Sequence, residues 1–251
     1  MGGKLEDPSK SNADPAATII TTPPSHHAFF VSIHIPKSAG TTLASIFDRV
    51  YRRRVLFDYP SMDEIASPDP LFDKHKDFVS SYFKGIHGHF AATRYLPIFS
   101  TARYISCLRH PVKRIISQYQ HEYYECSNDS IWHNAIRDGL DVVEFASLDE
   151  IRNASQAYLA GIEIEDYDLL LISERLDSSL ECLNYVIGNM QIDTHFGSPT
   201  NYPFENKAER RGARLKITDA QRLEIYNRVP DEIDIYRRAD LLLTKKLDRY
   251  L

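Results

Sequence analysis

The side chains best able to do chemistry fall in three short stretches. In the first, FFVSIHIPKSAGTTL (residues 29–43), an apolar run meets a small-residue loop and then a helical pattern. Phe29 to Ile35 reads as a buried strand, Pro36 to Gly40 as a tight basic loop, and Thr41 as the start of a helix. The first N–H groups of a helix lack intrahelical partners and sit at the positive end of its dipole, so such a junction holds anions. Lys37 adds a full charge and the Thr41 and Thr42 hydroxyls add donors. Ser38 and Ala39 keep the loop small, and Gly40 allows close backbone approach. The pattern differs from G-x-x-x-x-G-K-[ST], because here the lysine precedes the glycine.

The second stretch, RYISCLRHPVKRIISQY (residues 103–119), repeats the design. Tyr104 to Leu108 reads as a buried parallel strand, Arg109 marks its exit, and Pro111 takes a first-turn helical place. Val112, Ile115, Ile116 and Tyr119 share one face of the helix expected over 112–125, and Ser117 falls eight residues after Arg109. The third stretch is Gly85-Ile-His87-Gly88-His89-Phe90, at the end of a strand expected over 82–87. Histidine takes up a proton near neutral pH, so His89 and His87 are candidate general bases. Asp48, Asp58 and His34 compete for that role. His34, on the first strand, reads better as a core or supporting group, and His110 as part of the turn after Arg109.

The order P-K-S-A-G-T-T, followed by R-x-P and by R-x7-S, resembles sulfotransferases that use 3′-phosphoadenosine-5′-phosphosulfate (PAPS). The resemblance implies that Lys37, Ser38, Ala39, Gly40, Thr41 and Thr42 hold the 5′ side of the nucleotide. It implies that Arg109 and Ser117 hold the 3′-phosphate, and that Lys37 also follows the leaving oxygen. The H-G-H between the two motifs is similar to the uronosyl 2-O-sulfotransferases, in which histidines of this motif abstract a proton. That role carries to His89 first and His87 second. By position and character only, Arg210 and Arg211 match a basic loop that closes over the nucleotide. The implied reaction moves a sulfuryl group from PAPS to a hydroxyl of a glycan or small-molecule acceptor and releases 3′-phosphoadenosine-5′-phosphate (PAP). Two alternatives stand beside it: a small-molecule kinase with a variant P-loop, which needs Mg²⁺ and a carboxylate to hold it, and a non-catalytic PAP-binding protein of the same fold.

Composition sets bounds. The chain has 251 residues and 43% apolar content, enough for one full core. No apolar run approaches the roughly 20 residues of a membrane span, and the polar, Pro-rich start has no signal-like apolar segment. A net charge of −5 gives no reason to expect a nucleic-acid surface. Three cysteines without a C-x-x-C, and no H-E-x-x-H, argue against a disulfide framework and a metal site and fit the cytoplasm. Animal Golgi sulfotransferases carry an anchor, however, and an excised lumenal piece would read the same way. The acceptor (sugar, lipid or natural product) and the oligomeric state stay open.

The elements that must position these residues alternate. Strands are expected at 29–35, 82–87, 103–108 and 168–172, with helices at 40–52, 112–125, 174–187, 219–228 and 231–248. Ser173 and Thr218 read as N-caps, residues 131–160 as a helical section, and 189–216 as irregular. The fold class expected is α/β: a three-layer, mostly parallel sheet of the sulfotransferase type, with its P-loop-like turn at a strand's carboxyl end. Residues 28–251 would form this single domain behind a loosely held tail, 1–27.

Overall fold

Five short apolar segments pair in parallel to form the sheet, and in a parallel sheet both faces must be covered. A computed structural model describes residues 28–124, 130–188 and 215–250. In chain order the elements are β1 (Phe30–Ile33), α1 (Gly40–Tyr51), β2 (Val55–Asp58), α2 (Pro70–Lys74), α3 (Lys76–Tyr82), β3 (Gly85–Gly88), α4 (Ala92–Tyr95), β4 (Arg103–Leu108) and α5 (Pro111–Tyr124). Four short helices follow: α6 (Ile131–Arg137), α7 (Val142–Phe145), α8 (Asp149–Arg152) and α9 (Ala154–Leu159). The order closes with β5 (Leu169–Ile172), α10 (Leu176–Val186), α11 (Asp219–Arg228) and α12 (Pro230–Tyr250). The sheet order is β2-β3-β1-β4-β5, and every pairing is parallel. All five carboxyl ends therefore lie along one edge.

The main core forms around the sheet. β1, β3 and β5 are buried along their whole length, and helices α1, α10 and α12 contribute apolar faces such as Leu43, Ile46, Phe47, Leu183 and Leu243. A second cluster, built on Val112, Ile115, Ile116 and Phe145, packs the inner face of α5 against α7, α11 and α12. Inside it Arg114 and Glu232 face each other at 3.9 Å, each 1% exposed. Glu232 also accepts hydrogen bonds from the Ser155 N–H (2.7 Å), the Ser155 hydroxyl (2.6 Å) and the Gln156 N–H (3.2 Å). It thereby serves the otherwise uncapped N-terminus of α9. Arg114 donates further to the Ile151 carbonyl and to Gln118. This pairing fixes the helix that carries Ser117.

Several expectations need correction. The strand expected over 82–87 begins at Gly85, because Lys76–Tyr82 is helical and leaves Tyr82 exposed at its end. The Arg54 guanidinium holds the Tyr82 carbonyl there. The section over 131–160 breaks into four helices, interrupted at Gly139 with φ 116° and by the Asp141–Glu144 capping box. Ser173 does not cap α10. It sits in a 3-10 turn, Ser173–Arg175, and its hydroxyl donates to Glu174. Thr218 does cap α11, in a reciprocal box with Gln221. The edge strand β2 and the helices over 70–82 had no counterpart in the sequence reading. The tail 1–27, Cys126, Arg210 and Arg211 lie outside the described residues.

Replacing Glu232 with alanine would leave the Arg114 guanidinium buried without its partner. The expected loss is about 3–5 kcal/mol in urea unfolding, against a smaller loss for Glu232→Gln, which keeps most acceptor contacts. Equal stability of Glu232→Ala and the parent would contradict this role.

Candidate active site

The turn from β1 into α1 is shaped by two left-handed residues that are not glycine, Lys37 (φ 64°) and Ala39 (φ 62°). Such residues cost roughly 1–2 kcal/mol each. Left-handed positions in a turn swing successive backbone N–H groups toward one concave side, the geometry of an anion nest. Ala39 stands at the N-cap of α1 without a side-chain cap, and the first turn has no acidic residue. The leading N–H groups of a 12-residue helix thus face the nest unmet by any side chain.

Close packing holds the turn in place. Gly40 leaves no room for a side chain, since a Cβ there would lie 1.8 Å from the His34 ring. His87 is fully buried and braces the same point, with Nδ1 2.9 Å from the Ser32 hydroxyl and Nε2 3.2 Å from the Gly40 carbonyl. A carbonyl only accepts, so Nε2 carries the proton and Nδ1 accepts from Ser32. Both ring nitrogens are spent on scaffold contacts. His87 ties β1, β3 and the start of α1 together and does not line the cleft, which separates it from His89.

The cleft at the sheet edge has a volume of about 830 Å³. Its walls include Lys37, Ala39, Gly40, Thr41, Thr42 and His89, with Arg109 and Ser117 from the second stretch. Residues from distant parts of the sequence are therefore brought to one hollow. The Arg109 guanidinium donates to the Lys37 carbonyl at 3.3 Å and so joins the two loops. Glu174, after β5, accepts from the His110 N–H at 3.2 Å and from the Tyr236 hydroxyl at 3.3 Å, which fixes the turn beyond Arg109. Ser38 is placed differently from its neighbours. It is 1% exposed, its N–H bonds the Ile35 carbonyl, and its buried hydroxyl has no hydrogen-bond partner. Ser38 does not line the cleft and lies behind the loop that does.

His89 is half-buried and stacks on His34 with ring centroids 4.0 Å apart. Burial pushes the His89 imidazole down to about 4, aided by the nearby Lys37 charge and opposed by a hydrogen bond to the His34 backbone. Burial lowers His34 further, to about 2, and His87 to about 3. All three rings are neutral at physiological pH, and a neutral imidazole can accept a proton. The competing carboxylates are not available. Asp58 accepts from Arg94 Nε at 2.9 Å and from the Tyr95 hydroxyl at 2.7 Å, while Asp48 is exposed on α1 away from the cleft.

Sequence reasoning missed the rim on the other side of His89: Tyr59, Pro60 and Met62 line the cleft after β2. It also missed Arg94, 6% exposed, which donates to Asp58, Asp69 and the carbonyls of Glu64 and Ser67 and so pins this rim. Reading VLFDYP as a short strand ending at a proline turn would have placed Tyr59 at the carboxyl edge. Nothing in the sequence around Arg94 signals its partners. Among the described residues no group of three or more histidine, cysteine, aspartate or glutamate side chains could hold a metal ion.

Residues 21–237 match a family model described as "Sulfotransferase family". A solved structure, mouse sulfotransferase SULT7A1 complexed with PAP, is similar over 89% of this chain and 88% of that chain, at 14% identity and a TM-score of 0.46. No curated protein matches the chain.

Gly40→Ala drives a methyl group into the His34 ring, and His34 carries His89. Overpacking of this kind costs about 1–3 kcal/mol, and a misplaced catalytic group can lose about 100-fold in rate. Activity should therefore fall far more than urea stability does. Full activity of the variant would show that the His34–Gly40 contact does not position the site.

Proposed function

The chain belongs to the sulfotransferase family, and from that premise we propose that it transfers a sulfuryl group from PAPS to a hydroxyl acceptor in one in-line step. The observation that carries this reading is the convergence of Lys37, Thr41, Thr42, Arg109, Ser117 and His89 on one cleft. Family membership sets aside the kinase alternative.

The order of strands supports one direction for the ligand. Arg109 follows β4, Lys37 follows β1, and His89 follows β3, and these are neighbours in the sheet. On this reading Arg109 and Ser117 bind the 3′-phosphate. Lys37, the Thr41 and Thr42 hydroxyls and the leading N–H groups of α1 bind the 5′ side, with Ser38 supporting the loop from below. The sulfonate then points toward His89. PAPS supplies an electrophilic sulfur with a good leaving group. His89 takes the acceptor's hydroxyl proton while the acceptor oxygen bonds to sulfur. The bond from sulfur to the bridging oxygen breaks, and its electron pair leaves on the phosphate of PAP. Lys37 stabilises the negative charge growing on that oxygen. Arg210 and Arg211 are proposed to close over the nucleotide. The acceptor is a sugar, lipid or natural-product hydroxyl. We place the enzyme in the cytoplasm, a reading supported by the buried, unpaired thiols Cys107 and Cys182.

The test is turnover of labelled PAPS with a panel of hydroxyl acceptors. His89→Gln should lower kcat by about 10²–10⁴-fold with little change in PAP affinity, as expected for loss of a general base. A base works only when unprotonated, and a His89 pKa held near 4 leaves it so above about pH 5. The kcat/KM profile, which reports the free enzyme, should thus be flat from pH 5.5 to 8 and fall in acid. A rise through pH 6.5 would assign the base to an unperturbed group. Unaltered kcat in His89→Gln would remove His89 from the chemistry, and PAP binding without turnover of any acceptor would favour a non-catalytic protein.

A further inference from the structure

We propose that the rim formed by Tyr59, Pro60 and Met62 is the acceptor subsite, and that it selects an uncharged acceptor with a flat apolar face. This inference rests on the donor reading above and adds the acceptor class to it. The sheet order continues past His89 to β2, the edge strand, and the rim follows β2 directly. With the nucleotide lying over β4 and β1 and the base at the end of β3, the acceptor must approach from β2. Strands stand about 4.8 Å apart, so an acceptor on the rim lies within about one ring width of His89. The observed geometry agrees, since the Tyr59 and His89 rings are 5.1 Å apart.

The chemistry of the rim sets the class. Tyr59 is 51% exposed and Met62 64% exposed, and both line the cleft. An aromatic face, a rigid proline and a polarisable thioether favour a flat apolar partner through ring stacking and S–aromatic contact. Of these three side chains lining the cleft, only Tyr59 carries a hydroxyl that can bond a sugar hydroxyl. Charge argues the same way. Among the described residues, the lysine and arginine side chains lining the cleft are Lys37, Arg109 and Lys113, all on the β1 and β4 side, and Lys113 pairs with Glu174 at 3.5 Å. Beside the rim, Arg94 is already bound to Asp58 and Asp69. The residues that follow it, Asp63 and Glu64, are acidic and exposed. Among the described residues, an anionic glycan would meet repulsion and no unengaged cation at this end. The H-G-H resemblance to enzymes acting on acidic polysaccharides thus extends to the base and not to the acceptor.

The rim is held as a unit. Arg94 donates to Asp58 ahead of the rim and to the Glu64 and Ser67 carbonyls after it, and the Ala91 N–H donates to the Ile65 carbonyl. The Tyr59 side chain itself is exposed, so truncating it leaves these braces intact.

The experiment titrates the PAP-saturated protein with 2-naphthol and with a sulfated uronate disaccharide, for the parent, Tyr59→Ala, Tyr59→Phe and Met62→Glu. The parent should bind naphthol and bind the disaccharide at least tenfold more weakly. Tyr59→Ala and Met62→Glu should each weaken naphthol binding by roughly tenfold, and Tyr59→Phe should retain it, with PAP affinity unchanged throughout. Preference for the disaccharide, no naphthol binding, or Tyr59→Ala equal to the parent while PAP still binds would overturn the proposal and leave the donor reading standing. Failure of PAP to bind the folded parent would overturn both.

Discussion

The site depends on one constraint: a short loop must turn from a buried strand into a helix while leaving the helix's first N–H groups unpaired. Lys37 and Ala39 meet it by adopting left-handed backbone that their side chains disfavour. The surrounding structure offsets that strain. His34 packs against Gly40 where a Cβ would not fit, and His87 bonds the Gly40 carbonyl from beneath. The same histidine layer supports His89 by stacking. The nest, His89 and the start of α1 are therefore one packed unit, and a change in any of them is felt by the others.

The parallel sheet turns this local unit into an extended site. Five carboxyl ends share one edge, and the loops rooted there succeed one another in the order rim, His89, Lys37 loop, Arg109 and Glu174. Such an edge is where ligands bind in open α/β sheets. On the proposed reading the Arg109 and Lys37 loops take the two phosphate ends of the nucleotide, His89 acts as base and the rim as acceptor wall. Buried ionic contacts hold the two flanks: Arg114 with Glu232 under α5, and Arg94 with Asp58 and Asp69 under the rim. Each is covered well enough that removing one partner would strand a charge.

Much of this was legible in the sequence because the informative elements are local. A strand, a basic turn and a helix start occupy 14 consecutive residues from Phe30 to Leu43, and Arg109 to Ser117 is likewise one strand exit and one helix. β2 was not legible, since four residues reading Val-Leu-Phe-Asp on an exposed edge carry little periodicity. Without β2 the rim could not be placed, and Asp58 stayed a candidate base until its bonds to Arg94 and Tyr95 were visible. His87 and His89 look equivalent in Gly-Ile-His-Gly-His. Only the end of the strand separates them: side chains two apart on a strand share a face, but β3 ends at Gly88, between the two. His87 lies within β3 and is sealed, whereas His89 lies just beyond it and reaches the cleft. Arg114 read as one more basic residue of a helix, and its burial follows from a partner far along the chain, Glu232.

On the proposed reading the two strand-end motifs hold the two phosphates of one nucleotide. This is tested most directly by calorimetric titration with PAP, beside ATP and ADP, for the parent, Arg109→Ala and Ser117→Ala. PAP should bind the parent at micromolar affinity or tighter, ATP and ADP should bind more weakly, and both variants should lose this preference. Binding of PAP no tighter than ADP, or unchanged PAP affinity in Arg109→Ala, would contradict it.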